Sequence, residues 1–96
     1  MFKLTSSAER KLLDVIEKEK TSEDETLYLR ISMGIGWGGP KLNLSLEEQK
    51  LTDDHLYDFD EVKILIHEKD LVYFNDTKLD YVVDPFGISR FQLLKI

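Results

Sequence analysis

The chain reads as an α+β fold, an N-terminal helix followed by a mainly antiparallel β unit with a short helical insertion. Three observations predict it. Apolar residues recur at helical spacing only near the N-terminus, they alternate at period two over most of the remainder, and turn-forming residues cut that alternation into short segments. Ninety-six residues suit one domain over 1–96, built on a single hydrophobic core. A domain of this size buries roughly 60–70% of the surface of its unfolded chain, so any site is expected to be shallow.

The stretch "TSSAERKLLDVIEKEK" sets Ser6 and Glu9 at capping-box spacing and places Ala8, Leu12, Val15 and Ile16 along one face. This predicts a helix over about residues 7–19. "TSEDE" has no periodicity and reads as an exposed acidic loop. From Thr26 the period is two, with Leu27, Leu29, Ile31 and Met33 alternating with Tyr28, Arg30 and Ser32, as a half-buried strand requires. The run "MGIGWGGPKLNL" interrupts it, and Leu42, Leu44 and Leu46 then mark a second strand that begins directly after Pro40. The two strands are expected to pair antiparallel with the glycine run as their connection. "HLYDFDEVKILIH" predicts another hairpin, with Tyr57 and Phe59 on one arm, Asp60 and Glu61 at the turn, and Val62, Ile64 and Ile66 on the return. "EKDLVYFND" fits one or two helical turns carrying Leu71, Val72 and Phe74, and Asn75-Asp76 favours a turn. "KLDYVVD" alternates Leu79, Tyr81 and Val83, "PFG" breaks it, and "ISRFQLLKI" supplies the last strand.

Composition excludes several classes of function. With 42% hydrophobic and 33% charged residues the chain is expected to fold as an ordinary globular protein. Its formal net charge of −6 repels phosphate backbones, so no nucleic-acid partner is expected. The opening "MFKLTSSAERK" lacks a secretory h-region and no apolar run approaches the roughly 18 residues of a membrane helix, which makes a cytoplasmic protein without a membrane partner the expectation. The absence of cysteine removes disulfides, thiolate nucleophiles and thiolate metal ligands together.

Four of the five glycines surround the only tryptophan, which makes Gly34, Gly36, Trp37, Gly38 and Gly39 the candidate ligand or partner contact. Gly34, Gly36 and Gly39 satisfy G-x-G-x-x-G after a predicted strand, but the dinucleotide motif must open a helix, and Pro40 is followed by strand alternation. A P-loop fails as well, because Pro40 separates Gly39 from Lys41 and Leu42 stands where a hydroxyl is needed. Trp37 either folds back onto the sheet as a plug or stands free as a contact residue. Isolated loop aromatics are more often packed, so the plug is the expectation.

The segments "LYLRISMGIGWGGPKLNLSL", "KLDYVVD" and the phenylalanine-bearing strand after "PFGIS" resemble the HesB/IscA-like family, the A-type iron–sulfur cluster biosynthesis domain, in content and order. The resemblance runs from about Leu4 to Leu93. It implies that family's fold and a link to cluster biosynthesis. It also implies a ligand set that this sequence lacks, since Trp37 falls where the family's loop carries its first cysteine. The family's two further cysteines belong to a tail past the last strand, beyond Ile96. Clusters are held chiefly by thiolates, so no cofactor is expected through the family's residues.

Other metal ligands are available in His55 and His67 with Asp53, Asp54 and Asp58, because the predicted hairpin brings His67 near residue 54. The same carboxylates equally suit the solvated edge of a hairpin, which is the expectation. No catalytic apparatus is visible. Ser6, Ser7, Ser22, Ser32, Ser45 and Ser89 have no histidine in a recognisable motif around them, and the pairs Glu47/Glu48 and Asp53/Asp54 diverge along an extended strand. Two functions follow. One is a non-catalytic HesB/IscA-like protein acting through a protein partner or self-association. The other is a small binding module that uses the glycine loop and Trp37 for a peptide or small ligand.

Overall fold

The computed structural model describes residues 1–96. Its first element is one that alternation could not reveal. Phe2–Leu4 forms β1, three residues long, in parallel register with β6 (Thr77–Val83). Phe2 anchors it, buried edge-on against Tyr57, Phe59 and Phe74 with ring centroids 5.5, 6.2 and 6.1 Å away.

Helix α1 (Ser6–Glu19) buries Ala8, Leu12 and Ile16 as their spacing demands. Its cap is Thr5 rather than Ser6. Thr5 leaves β1 in an extended conformation, its Oγ1 accepts from the Ala8 N–H at 3.3 Å, and Ser6 is already helical. Glu9 therefore lies one residue too far along for a capping box. An acidic residue from another strand serves the same helix end, as described below.

β2 (Tyr28–Gly36) and β3 (Gly39–Glu47) form a hairpin, followed by a second hairpin of β4 (Asp54–Phe59) and β5 (Val62–His67). A 3₁₀ turn (Glu68–Asp70) and α2 (Leu71–Phe74) are the helical insertion, and β7 (Ser89–Lys95) pairs antiparallel with β6. The strands make two sheets, β1-β6-β7 and β3-β2-β5-β4. The sequence's mainly antiparallel unit is present, with parallel pairings of β1 with β6 and β2 with β5 added to it. β5 is the strand whose Val62, Ile64, Leu65 and Ile66 are all buried, as befits a central strand covered on both faces. One core joins Leu29, Ile31, Val62, Ile64 and Ile66 of the larger sheet to Phe2, the apolar face of α1, Phe74 and Leu79.

The glycine run does not interrupt the strands. β2 continues to Gly36 and β3 starts at Gly39, before Pro40, which leaves only Trp37-Gly38 as the turn. Gly38 makes this possible, since its φ of +88° is the left-handed conformation a two-residue connection needs there.

Candidate functional site

The candidate residues meet at one place, the tip of the β2–β3 hairpin. Along the core-facing side, Leu29 and Ile31 are buried, Met33 and Leu42 are half-buried, and Ile35 is 99% exposed. Trp37 beyond them is as exposed as an isolated residue, so the expected plug is overturned. The cause is the unbroken register: nine-residue strands carry the turn past the last residues that pack on the core, and nothing lies there for an indole to fold onto. Gly34, Gly36 and Gly39 share the opposite face of the tip. At Gly34 a Cβ would sit 2.5 Å from Asn43 Nδ2, so the Asn43 amide lies directly over the glycine. Ile35 belongs with this group and was hidden in the sequence as one more member of an apolar alternation. A second exposed apolar turn, Phe86 and Ile88 between β6 and β7, was concealed by the "PFG" break.

The alternative metal set does not assemble. In the β4–β5 ladder Asp54 faces His67 while His55 faces Ile66, so the two histidines project from opposite faces of the sheet. Asp54 is already committed, since the Arg30 guanidinium holds both its oxygens (Nη2–Oδ2 2.6 Å) and the Leu51 N–H donates to it at 2.8 Å. The Arg30 hydrogen bonds, helped by that N–H, hold the Asp54 pKa down at about 2. Asp58 is taken by Lys63 at 3.2 Å, and His67 Nδ1 accepts from the Lys69 N–H at 3.1 Å. Both histidines also stand in strands on the side of the sheet away from the β3 edge and its glycines.

The "LDY" segment is structural in a specific way. Leu79 is fully buried, and Asp80 accepts from the hydroxyls of Thr5 at 2.7 Å and Ser7 at 2.9 Å, tying β6 to the start of α1. Those two hydroxyls, with the Gln92 amide, hold the Asp80 pKa at about 2. Tyr81 stacks on Phe91 at 4.8 Å and receives the Lys11 ammonium over its ring at 5.6 Å. Ser7, Arg10, Lys11, Asp14 and Tyr81 line a shallow groove of about 460 Å³ beside this junction.

No family model matches the chain. A protein of Aquifex aeolicus (strain VF5) is 31% identical over 87 residues, 91% of this chain and 73% of that relative. Among solved structures, an Aquifex aeolicus protein determined by solution NMR superimposes with a TM-score of 0.76 at 28% identity, over 99% of this chain and 91% of that one. Escherichia coli SufA, involved in biosynthesis of iron–sulfur clusters, gives 0.79 at 17% identity over 98% and 84%. A crystal structure of IscA with a 2Fe–2S cluster gives 0.76 at 21% identity over 99% and 82%. The fold is therefore that of IscA and SufA. No helix is long and apolar enough to cross a membrane.

Proposed function

The chain belongs to the HesB/IscA-like family as a divergent member without cysteine, and on that premise we propose that it serves iron–sulfur cluster biosynthesis through protein contacts. It does so without catalysing a reaction and without ligating the cluster itself. The residues do not fit a cluster: no thiolate exists in the sequence, and the indole at the loop position that resembles the family's first cysteine site donates a hydrogen bond but offers no ligand. The observation that carries the proposal is the exposure of Trp37 and Ile35 together on a hairpin tip that the core does not need. Large exposed aromatics of this kind anchor interfaces because they bury much surface with few rotatable bonds.

Two experiments test it. Anaerobic incubation with ferrous iron and sulfide, followed by desalting, is expected to leave the protein colourless and free of bound iron; a brown holoprotein that passes its cluster to an apo-ferredoxin would contradict the proposal. Affinity capture with the wild-type chain, compared with Trp37→Ala, is expected to retain cluster-assembly proteins on the first only. Equal recovery on both would move the contact away from the hairpin. The same exposed indole also suits a platform for a peptide or small ligand, and in that case Trp37-dependent capture would return proteins unrelated to cluster assembly.

A further inference from the structure

β7 is an open edge of the smaller sheet. It pairs only with β6, in an unbroken ladder from Val83–Ser89 to Thr77–Lys95. Two backbone hydrogen bonds at the ends of that ladder fix its phase: the Asp84 N–H donates to the Ile88 carbonyl at 2.9 Å, and the Ile96 N–H donates to the Asp76 carbonyl at 3.0 Å. The pattern repeats every second residue, so Arg90, Gln92 and Leu94 bond β6, whereas Ser89, Phe91, Leu93 and Lys95 aim their N–H and C=O groups away from it. No backbone hydrogen bond outside the ladders reaches those four residues. The usual devices that blunt an edge are missing, since β7 has neither proline nor bulge and runs for seven residues.

Side chains add a preference for what could pair there. Phe91 and Leu93 lie on the face that packs toward the core, and each is only half-buried. The three strands of this sheet hold Lys3, Lys78, Arg90 and Lys95 against one carboxylate, Asp80, in a chain whose net charge is −6. None of the four cations has an ion-pair partner. Asp80 is already taken by Thr5, Ser7 and Gln92. The other sheet edges differ: β1 is three residues long, β4 carries Asp54 and Asp58, and β3 balances Lys41 against Glu47.

We propose that β7 takes an extended acidic segment of another protein as a fourth strand of the smaller sheet. The occupant is a polypeptide because only a backbone supplies alternating carbonyls and N–H groups to match the edge, which neither a nucleic acid nor a lipid surface does. Antiparallel addition, the more stable per residue, makes hydrogen-bonded pairs at Phe91 and Leu93. The added residues opposite those two lie on the core-facing side and are apolar, while those opposite Arg90 and Lys95 are acidic. Read from its N-terminus, the segment is therefore acid–x–apolar–x–apolar–acid. This edge belongs to the sheet that does not carry Trp37, and its occupation is independent of the role given to the hairpin tip.

The probe is the end-blocked peptide Asp-Thr-Val-Thr-Val-Glu, titrated into the isotope-labelled full chain and followed by amide NMR. The Phe91 and Leu93 amide signals are expected to move at millimolar peptide and their hydrogen exchange to slow. N-methylation of both valines, whose N–H groups face β7, is expected to weaken binding by about tenfold or more because two hydrogen bonds are lost. N-methylation of both threonines, whose N–H groups face solvent, is expected to leave it within about twofold. The surface double variant Arg90→Glu, Lys95→Glu is expected to bind the acidic peptide about fivefold more weakly and to take Lys-Thr-Val-Thr-Val-Lys in its place. Trp37→Ala is expected to bind as the wild type does. No movement of the β7 signals at millimolar peptide, movement confined to β3, or equal binding of the valine-methylated peptide would overturn the proposal. So would Phe91 and Leu93 amides that exchange slowly without peptide because a second copy of the chain covers them, a case that sedimentation velocity identifies by mass.

Discussion

The two hairpins of the larger sheet carry the same alternation and end differently. In β4–β5 the core-facing residues stay covered to the last pair, with Phe59 against Phe2 and Val62 fully buried, and the turn beyond them is charged Asp60-Glu61. In β2–β3 the cover stops at Met33 and Leu42, and the residues beyond are Ile35, Trp37 and glycine. The difference arises outside the hairpins, because β1 delivers Phe2 over one tip and no element reaches the other. Apolar residues at an uncovered tip contribute little to folding, and their presence points to a use in binding.

Substitutions along β2 separate the covered end of the hairpin from its free tip. Ile31→Ala, at the covered end of β2, is expected to cost about 3 kcal/mol in denaturant unfolding, while Ile35→Ala four residues along costs under about 0.5 kcal/mol. Similar losses at both positions would mean that the tip packs after all. Arg30→Met leaves the Asp54 carboxylate buried without its guanidinium and is expected to destabilise by about 2 kcal/mol, measured the same way.

The two depressed carboxyls give a pH dependence with a definite sign. Asp54 and Asp80 have folded-state pKa values of about 2, below the ordinary 3.8, so the folded state binds protons less readily than the unfolded one. Their contribution is complete above the ordinary value and is lost as pH falls from 3.8 toward 2. Thermal midpoints are expected to hold steady from neutral pH to about 4 and to drop below it, with a shallower drop in Asp54→Asn. A midpoint that rises on acidification would contradict the ion-pair assignment.

Smaller effects are expected nearer the tip. Gly38→Ala forces a side chain into positive φ and should cost about 1 kcal/mol, whereas Trp37→Ala should change stability by less than about 0.5 kcal/mol. Unfolding curves of the pair separate a glycine required by the turn from a tryptophan that is not required by the fold.

Much of this architecture was legible in local pattern. The buried face of α1, both hairpins, the Asp60-Glu61 turn and the helical insertion all follow from spacing within a few residues. What the sequence concealed depends on residues far apart in the chain. β1 is too short to show alternation and exists because β6 pairs with it, and the parallel pairing of β2 with β5 is likewise long-range. The Thr5 cap differs from the expected Ser6 because Asp80, on a strand 75 residues away, draws both the Thr5 and Ser7 hydroxyls. At the site, the glycines and Trp37 were visible as a cluster, but exposure was not, since the length of a ladder relative to the layer opposite it is a tertiary quantity. His67 lies opposite Asp54, as the predicted hairpin requires, and alternation along β4 therefore turns His55 to the other face of the sheet.

Because Trp37 is the only tryptophan, its emission reports the hairpin tip without interference. An indole standing clear of the core is expected to emit at the long wavelength of a water-exposed residue and to be quenched by iodide as readily in the folded chain as in the denatured one. A blue-shifted emission shielded from iodide until the protein unfolds would contradict the free tip and the binding role built on it.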